Sequence, residues 1–275
     1  MDSFAIPPLP TIVAQVIQFD ANNPKNGAGD LEKLVLPDKA ISAELLRVAN
    51  SAFYGRSGKV KILRDSLAVL GIKATKNLVI YLSTKAMAPT YKSDTFKVHL
   101  SRYPIYAALI AQMVAQETSL RKEADEAFLA ALLHKIGMSI MALQNAGHYS
   151  DMIQACEKNK WDLQKLEKQS YGITHIELGK KAASTWKLPD EFQKFMEISA
   201  TSPYESLTSP LEKSTFIGAV CASLLLGIST KDTAKTIAQQ CYKDLGGEQN
   251  VLIRHASPEA QKRIEAHPFA QLSTL

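Results

Sequence analysis

His134 and Lys135 stand together in FLAALLHKIGMSIM (128–141), and the pair poses a chemical question. On an apolar helix, histidine followed by aspartate can offer bound metal ions an imidazole and a bridging carboxylate. Here lysine takes the second place; an ammonium has no free lone pair and carries the wrong charge for that work. The segment is therefore either an ordinary buried helix or a metal site whose chemistry has gone. His134 is open to two readings, a hydrogen-bonded core histidine or a ligand. Lys135 could reach solvent along its aliphatic stem, or hold its ammonium where a metal would sit, against an acid or carbonyl. Other chemistry is sparse. No Ser, His and Asp arrangement reads as a triad, and no glycine-rich loop has phosphate-cradling spacing. Cys156, Cys221 and Cys241 are far apart and odd in number, which argues against a disulfide scaffold or thiolate zinc site and suits a reducing cytoplasm.

The elements that must position these residues read as helices. At 275 residues, with 46% hydrophobic and 21% charged residues, the chain can bury a large core and is not disordered. Aromatics are only 7%, and no strand-like alternation persists, so the core should be aliphatic and helical. No apolar run approaches the roughly 20 residues that span a bilayer, and MDSFAIPPLP lacks the pattern of a signal peptide. The net charge of +5 is mild and dispersed. Even CEKNKWDLQKLEKQ mixes acids with its lysines and reads as a solvated helix face, leaving nucleic-acid binding a minor option.

Two halves meet near MAPTYKSDT (87–95), where Pro, Thr, Ser and Asp break the pattern. The first, about residues 1–90, should hold about five helices: LPTIVAQVIQF; GDLEKLVL with Asp30 as its cap; DKAISAELLRVANSAFYG; and two helices hinged at Gly71. The second, 91–275, has stronger start signals. Ser209-Pro210-Leu211-Glu212 and Thr174-His175-Ile176-Glu177 are capping boxes, the latter placing His175 in a first turn. Ser257-Pro258-Glu259 opens the last candidate helix. TFIGAVCASLLLGI is apolar nearly all round and should lie inside its bundle. Because LVIYLSTKAM runs into the junction without a Gly/Ser linker, the halves should share an apolar interface. His148, His255 and His267 read as loop or terminal residues.

IPPLPTIVAQVIQF, LPDKAISAELLRVANSAFYG and ILRDSLAVLGIKATKNLVI together resemble the start of HDOD domains, HD-related output domains of bacterial signalling proteins. Asn50-Ser51-Ala52-x-Tyr54 and the following x-Ala/Leu-x-x-Leu-Gly helix, ending at Gly71, are the most specific part. FLAALLHKIG and YGITHIELGKKAASTWKLP extend the resemblance to about residues 6–227. It implies an all-α protein, an N-terminal helical bundle packed on a degenerate HD-like bundle. Asn50, Ser51 and Tyr54 would fix a helix end and its turn.

An active site of that type needs an early His, the His-Asp pair, further His residues and a late Asp. By the family pattern the early position is Tyr103, with His99 one turn earlier as a substitute. His134 is kept, Lys135 replaces Asp, and His175 fits G-x-x-H. Ser199, Ala200 and Thr201 stand where a His pair belongs, and Val220 where the late Asp belongs. Without a carboxylate, hard ions lack oxygen ligands and zinc or iron lacks charge compensation. The resemblance implies a cytoplasmic, non-catalytic signalling or regulatory module acting through protein partners, without a cofactor. The alternatives are a metal-dependent phosphohydrolase or cyclic-dinucleotide phosphodiesterase, and a nucleotide-binding module without turnover.

Overall fold

The computed structural model describes residues 4–20, 23, 26–55, 58–87, 89 and 92–273. All regular elements among them are helical. The proposed boundary between residues 90 and 91 lies outside the described residues.

The first half holds the five expected α-helices: α1 (Thr11–Gln18), α2 (Ala28–Val35), α3 (Lys39–Ala49), α4 (Leu63–Leu70) and α5 (Ile72–Met87). Asp38 caps α3 by accepting the Ile41 N–H at 3.0 Å. Asp30 is not the cap of α2; Gly27 is, and Asp30 on the first turn accepts the Gly27 N–H at 3.1 Å. Asn50 ends α3. Its amide donates to the carbonyls of Leu46 and Val60 at 3.0 and 2.8 Å, while its oxygen accepts the Val60 N–H at 3.0 Å. One side chain thus replaces three backbone partnerships and closes the intervening loop on the helix end. Within that loop Ser51 precedes a 3₁₀ turn, Ala52–Tyr54, and Tyr54 packs half-buried against the core. Gly71, at φ +80°, makes the sharp joint between α4 and α5.

The second half begins with α6 (Asp94–Phe96), continues through a π-helical stretch (Lys97–Arg102) and runs into α7 (Tyr103–Gln116). Pro104 has no N–H to return to the Leu100 carbonyl, so the pattern loosens just ahead of it. Then follow α8 (Ala124–Leu133), α9 (Ile136–Ala142), α10 (Ala146–Asn159), α11 (Leu163–Tyr171), α12 (His175–Thr185), α13 (Glu191–Phe195), α14 (Pro210–Leu225), α15 (Asp232–Asp244), α16 (Val251–His255), α17 (Pro258–Glu265) and α18 (Pro268–Leu272). The Thr174 and Ser209 capping boxes form as the sequence predicts. α14 lies in the middle, buried from Ser214 to Ser223 against α7, α8 and α15. Ser257 caps α17, but α18 follows it, so the predicted last helix is the penultimate one.

Apolar side chains from both halves form one continuous core. α5 packs on α8 and α9. Each half also reaches across to the other. The Trp186 indole N–H donates to the Pro7 carbonyl at 2.9 Å, and Phe4 meets Tyr171 edge-on. In return, Lys85 on α5 donates to the Leu272 carbonyl, and Phe53 packs on His267.

The sequence reading takes 128–141 as one helix, but it breaks at His134 and Lys135. Lys135 adopts φ −114°, ψ 22°, and the chain restarts as α9 in a new direction. Gly137 permits that direction. A Cβ there would lie 1.8 Å from the His175 carbonyl oxygen and 2.8 Å from the Gly179 nitrogen, so only glycine lets α9 touch the backbone of α12. The remaining histidines are not loop residues throughout. His148 lies in α10, His255 ends α16 fully buried, and His267 caps α18, its Nδ1 accepting the Phe269 N–H at 3.2 Å.

Gly137→Ala should therefore cost about 2 kcal/mol or more, read as a lower urea midpoint, because backbone cannot yield as a flexible side chain can. A pH prediction follows from His255 and His267. Burial pushes both imidazoles down to about 4, Glu117 partly opposing this at His255. Unfolded, they titrate near 6.5. Between these values the unfolded chain binds more protons, so stability must fall as pH drops through that window, by up to about 1.4 kcal/mol per pH unit for each imidazole. Urea titrations at pH 7, 6 and 5 test this; a flat profile would contradict neutral burial.

Candidate functional site

Four helices bring the singled-out residues to one place. Tyr103 opens α7, His134 and Lys135 form the break after α8, Val220 lies on α14, and His175 opens α12. The Tyr103 hydroxyl stands 3.5 Å from His134 Nε2 and 3.4 Å from the Ala219 carbonyl oxygen, one residue before Val220. His134 is buried, and its Nδ1 lies 2.6 Å from the Ala131 carbonyl. A carbonyl only accepts, so Nδ1 carries the proton and Nε2 the lone pair. Burial, reinforced by the Lys135 ammonium, pushes this imidazole down to about 3, so it stays neutral.

Lys135 is partly buried. Its ammonium lies 4.6 Å from the centroid of the Tyr103 ring, over the aromatic face. No carboxylate or carbonyl accepts from it among the described residues. The neighbouring positions contribute no ligand. Val220 is wholly buried and purely apolar. Ser199 and Thr201 bond to each other at 2.9 Å near the surface, beside Ala200. His99 is turned to Glu157 on α10, its Nε2 lying 2.9 Å from the carboxylate.

A carboxylate is nevertheless present, in a place the sequence hides. Glu167 on α11 has no solvent exposure. It accepts the Tyr149 hydroxyl at 2.6 Å, the His175 backbone N–H at 2.9 Å and the His175 Nδ1 at 2.8 Å. This buried acid orients His175 and caps the first turn of α12, where the helix dipole also favours a negative charge. CEKNKWDLQKLEKQ reads from sequence as a solvated face; one of its acids is instead fully enclosed. The periodicity of α11 gave no warning, because a buried acid occupies the position of an apolar residue. The traceable clue is Thr174-His175, whose capping box places an N-terminal N–H and an imidazole side by side.

Could these groups hold the divalent metal that an HD-type fold implies? An imidazole with its Nε2 lone pair faces a tyrosine hydroxyl, an ammonium adjoins it, and an isopropyl group fills the late-acid position. Glu167, the acid on His175, has its oxygens committed to three donors. No group of three or more His, Cys, Asp or Glu side chains suited to a metal occurs among the described residues. This donor set does not fit a divalent cation.

The comparisons agree with the fold. An HDOD domain protein of unknown function from Geobacter sulfurreducens aligns with a TM-score of 0.73 at 17% identity, over 95% of this chain and 93% of that one. A Marinobacter aquaeolei VT8 protein, provisionally titled a signal transduction protein, gives 0.72 at 22% identity over 98% and 59% of the chains. One from Shewanella amazonensis SB2B, provisionally titled a phosphohydrolase, gives 0.68 at 20% identity over 96% and 94%. An uncharacterized protein of Treponema pallidum (strain Nichols) is 22% identical over 185 residues, 67% of this chain. The chain spans only 36% of that relative's length. The HDOD domain profile matches residues 6–201. It stops short of the 227 read from the sequence and leaves α14 and Val220 beyond the match. Most of its length falling inside that profile, the chain belongs to the HDOD domain family.

Proposed function

We propose that the chain is a non-catalytic signalling or regulatory module whose HD-type metal site is degenerate and which acts through protein partners in the cytoplasm. The observation that carries this reading is the Lys135 ammonium resting on the Tyr103 ring where the family pattern calls for a carboxylate and an imidazole. Metal-assisted hydrolysis needs several converging ligands, an open coordination position and an activated water. A fixed positive charge raises the cost of placing a second cation there. Tyr103 and Val220 fill two further ligand positions with groups that coordinate such ions poorly or not at all. Membership of a family of signalling output domains supports the regulatory half of the reading. No helix of the described residues is long and apolar enough to cross a membrane.

The competing reading is a metal-dependent phosphohydrolase, and metal content separates the two. Protein purified without chelator or affinity-tag metal should hold no stoichiometric Mn, Fe, Zn or Mg. It should not hydrolyse cyclic dinucleotides or phosphomonoesters with any of these ions. Lys135→Asp alone should not restore turnover, since Tyr103 and Val220 still withhold two ligands. Stoichiometric metal, or hydrolysis abolished by His134→Ala, would overturn the proposal.

Lys135→Met tests how the lysine is held. With an aromatic face beneath the ammonium and no ion pair, the substitution should change stability by no more than about 1 kcal/mol. A loss of about 3 kcal/mol, as for a broken buried ion pair, would show a partner that the fold does not display.

A further inference from the structure

Two adjoining hollows open between the halves, where the end of α1 and the face of α5 meet α8 and α13. Their volumes are about 270 and 200 Å³, each several times the roughly 30 Å³ share of one water molecule. Ile17, Lys76, Asn77, Asp125 and Glu126 line both, so the two run together as one cleft. The first hollow is polar and adds Asp20 and Lys73. The second is walled by Ile80, Leu129, Phe192, Phe195 and Leu211, with Glu191 beside them.

Asn77 is only 3% exposed, yet half of its amide is unused. Its Nδ2 donates to Asp125 Oδ1 at 3.2 Å. A carboxylate only accepts, which fixes the orientation of the amide and leaves its carbonyl oxygen without a donor among the described residues. An enclosed oxygen without a donor costs free energy. The charges are uneven as well. Lys73 pairs with Asp125 at 3.2 Å, and Lys76 donates to the Phe19 carbonyl. Glu126 and Glu191 make neither a hydrogen bond nor an ion pair among the described residues. With Asp20 and Asp125 they set four carboxylates against the two ammonium groups of the cleft. Burial holds the Lys76 pKa below the usual lysine range, opposed by Glu126, Asp20 and Asp125 and reinforced by Lys73, so these charges share one field.

We infer that this cleft binds a small organic cation, a primary ammonium carried on an apolar body. The ammonium bonds the Asn77 carbonyl oxygen beside Glu126, and the body packs on Leu129, Phe192 and Phe195. An ammonium brings three donors and one positive charge, which answers both the idle oxygen and the excess of carboxylate. The acids are not grouped for a metal ion among the described residues, and a bare ion leaves the apolar wall unused. Because α1 and α5 belong to one half and α8 and α13 to the other, the occupant holds the halves together. This assignment concerns binding alone and holds whether or not the chain turns over a substrate.

The test is thermal melting and calorimetric titration of the full chain with phenethylamine, ethylamine, phenylacetate and free phenylalanine, each against sodium chloride at matched ionic strength. Phenethylamine at ten times its dissociation constant should raise the melting temperature by about 3 °C. Ethylamine, which lacks the ring, and phenylacetate, which reverses the charge, should each bind at least tenfold more weakly. Glu126→Lys should weaken phenethylamine binding at least tenfold, and Glu126→Gln severalfold. Glu126 is exposed, so both variants should fold, and circular dichroism checks that they do. Phenylalanine binding within tenfold of the amine, or tighter, identifies the ligands as apolar amino acids, with the carboxylate on Lys76. Weaker binding confines them to amines without a carboxylate. No saturable binding of phenethylamine, phenylacetate or ethylamine binding as tightly as phenethylamine, or binding indifferent to Glu126→Lys, would overturn the assignment.

Discussion

The contact between Gly137 and the first turn of α12 sets the geometry of everything around His134. Two helices normally pack with their axes 8–10 Å apart, held off by side chains. Here a missing Cβ lets the backbone of α9 rest on the His175 carbonyl and the Gly179 nitrogen. That approach turns the chain sharply at His134 and Lys135, where α8 would otherwise continue. It also fixes how deep His175 sits. Glu167 completes the arrangement from α11, since its carboxylate takes the His175 backbone N–H that the buried start of α12 leaves open and also bonds the His175 Nδ1. Neither contact tolerates much adjustment: one is backbone against backbone, and the other is a carboxyl group with no access to water.

Around this junction the distribution of charge differs from what a cation site requires. The Glu167 carboxylate is saturated by Tyr149 and His175. The Lys135 ammonium follows directly on a neutral imidazole. An aromatic ring can support that ammonium because its face carries negative electrostatic potential, and Tyr103 presents its face at 4.6 Å. The same ring keeps its hydroxyl near His134 Nε2 and the Ala219 carbonyl. A single tyrosine therefore contacts both members of the His-Lys pair and reaches the backbone beside Val220. Its place at the head of α7 is held by the helix between α8 and α14, which is apolar on nearly every side.

Much of the fold was legible because its signals are local. Capping boxes at Thr174 and Ser209, the Gly71 joint and the all-round apolar character of α14 each depend on a few adjacent residues, and each formed. The misreadings are non-local. Nothing near Glu167 marks it as buried; its partners are 18 and 8 residues away in sequence. His255 looked terminal because the final helices fold back over α7, which only the tertiary packing shows. The break at His134 depends on a glycine whose neighbour lies some 40 residues downstream. Gly137 was visible in HKIG, but its reason was not. His99 was a reasonable substitute ligand by helical spacing, yet its ring is turned to Glu157 on another helix.

Lysine is a workable replacement at this position for a reason of valence. A divalent ion organises a site by drawing in several anionic or lone-pair ligands, and removing the ion leaves those ligands repelling one another. An ammonium tethered at Lys135 supplies one positive charge that cannot dissociate, and it needs fewer partners. It can lean on an aromatic face, as it does on Tyr103. On the proposed reading, loss of the aspartate and gain of the lysine are then one electrostatic change: the junction no longer attracts a cation. The break in the helix, the close approach at Gly137 and the buried Glu167–His175 pair do not depend on the sign of that charge. On that reading the HD-type architecture persists without a metal at its centre.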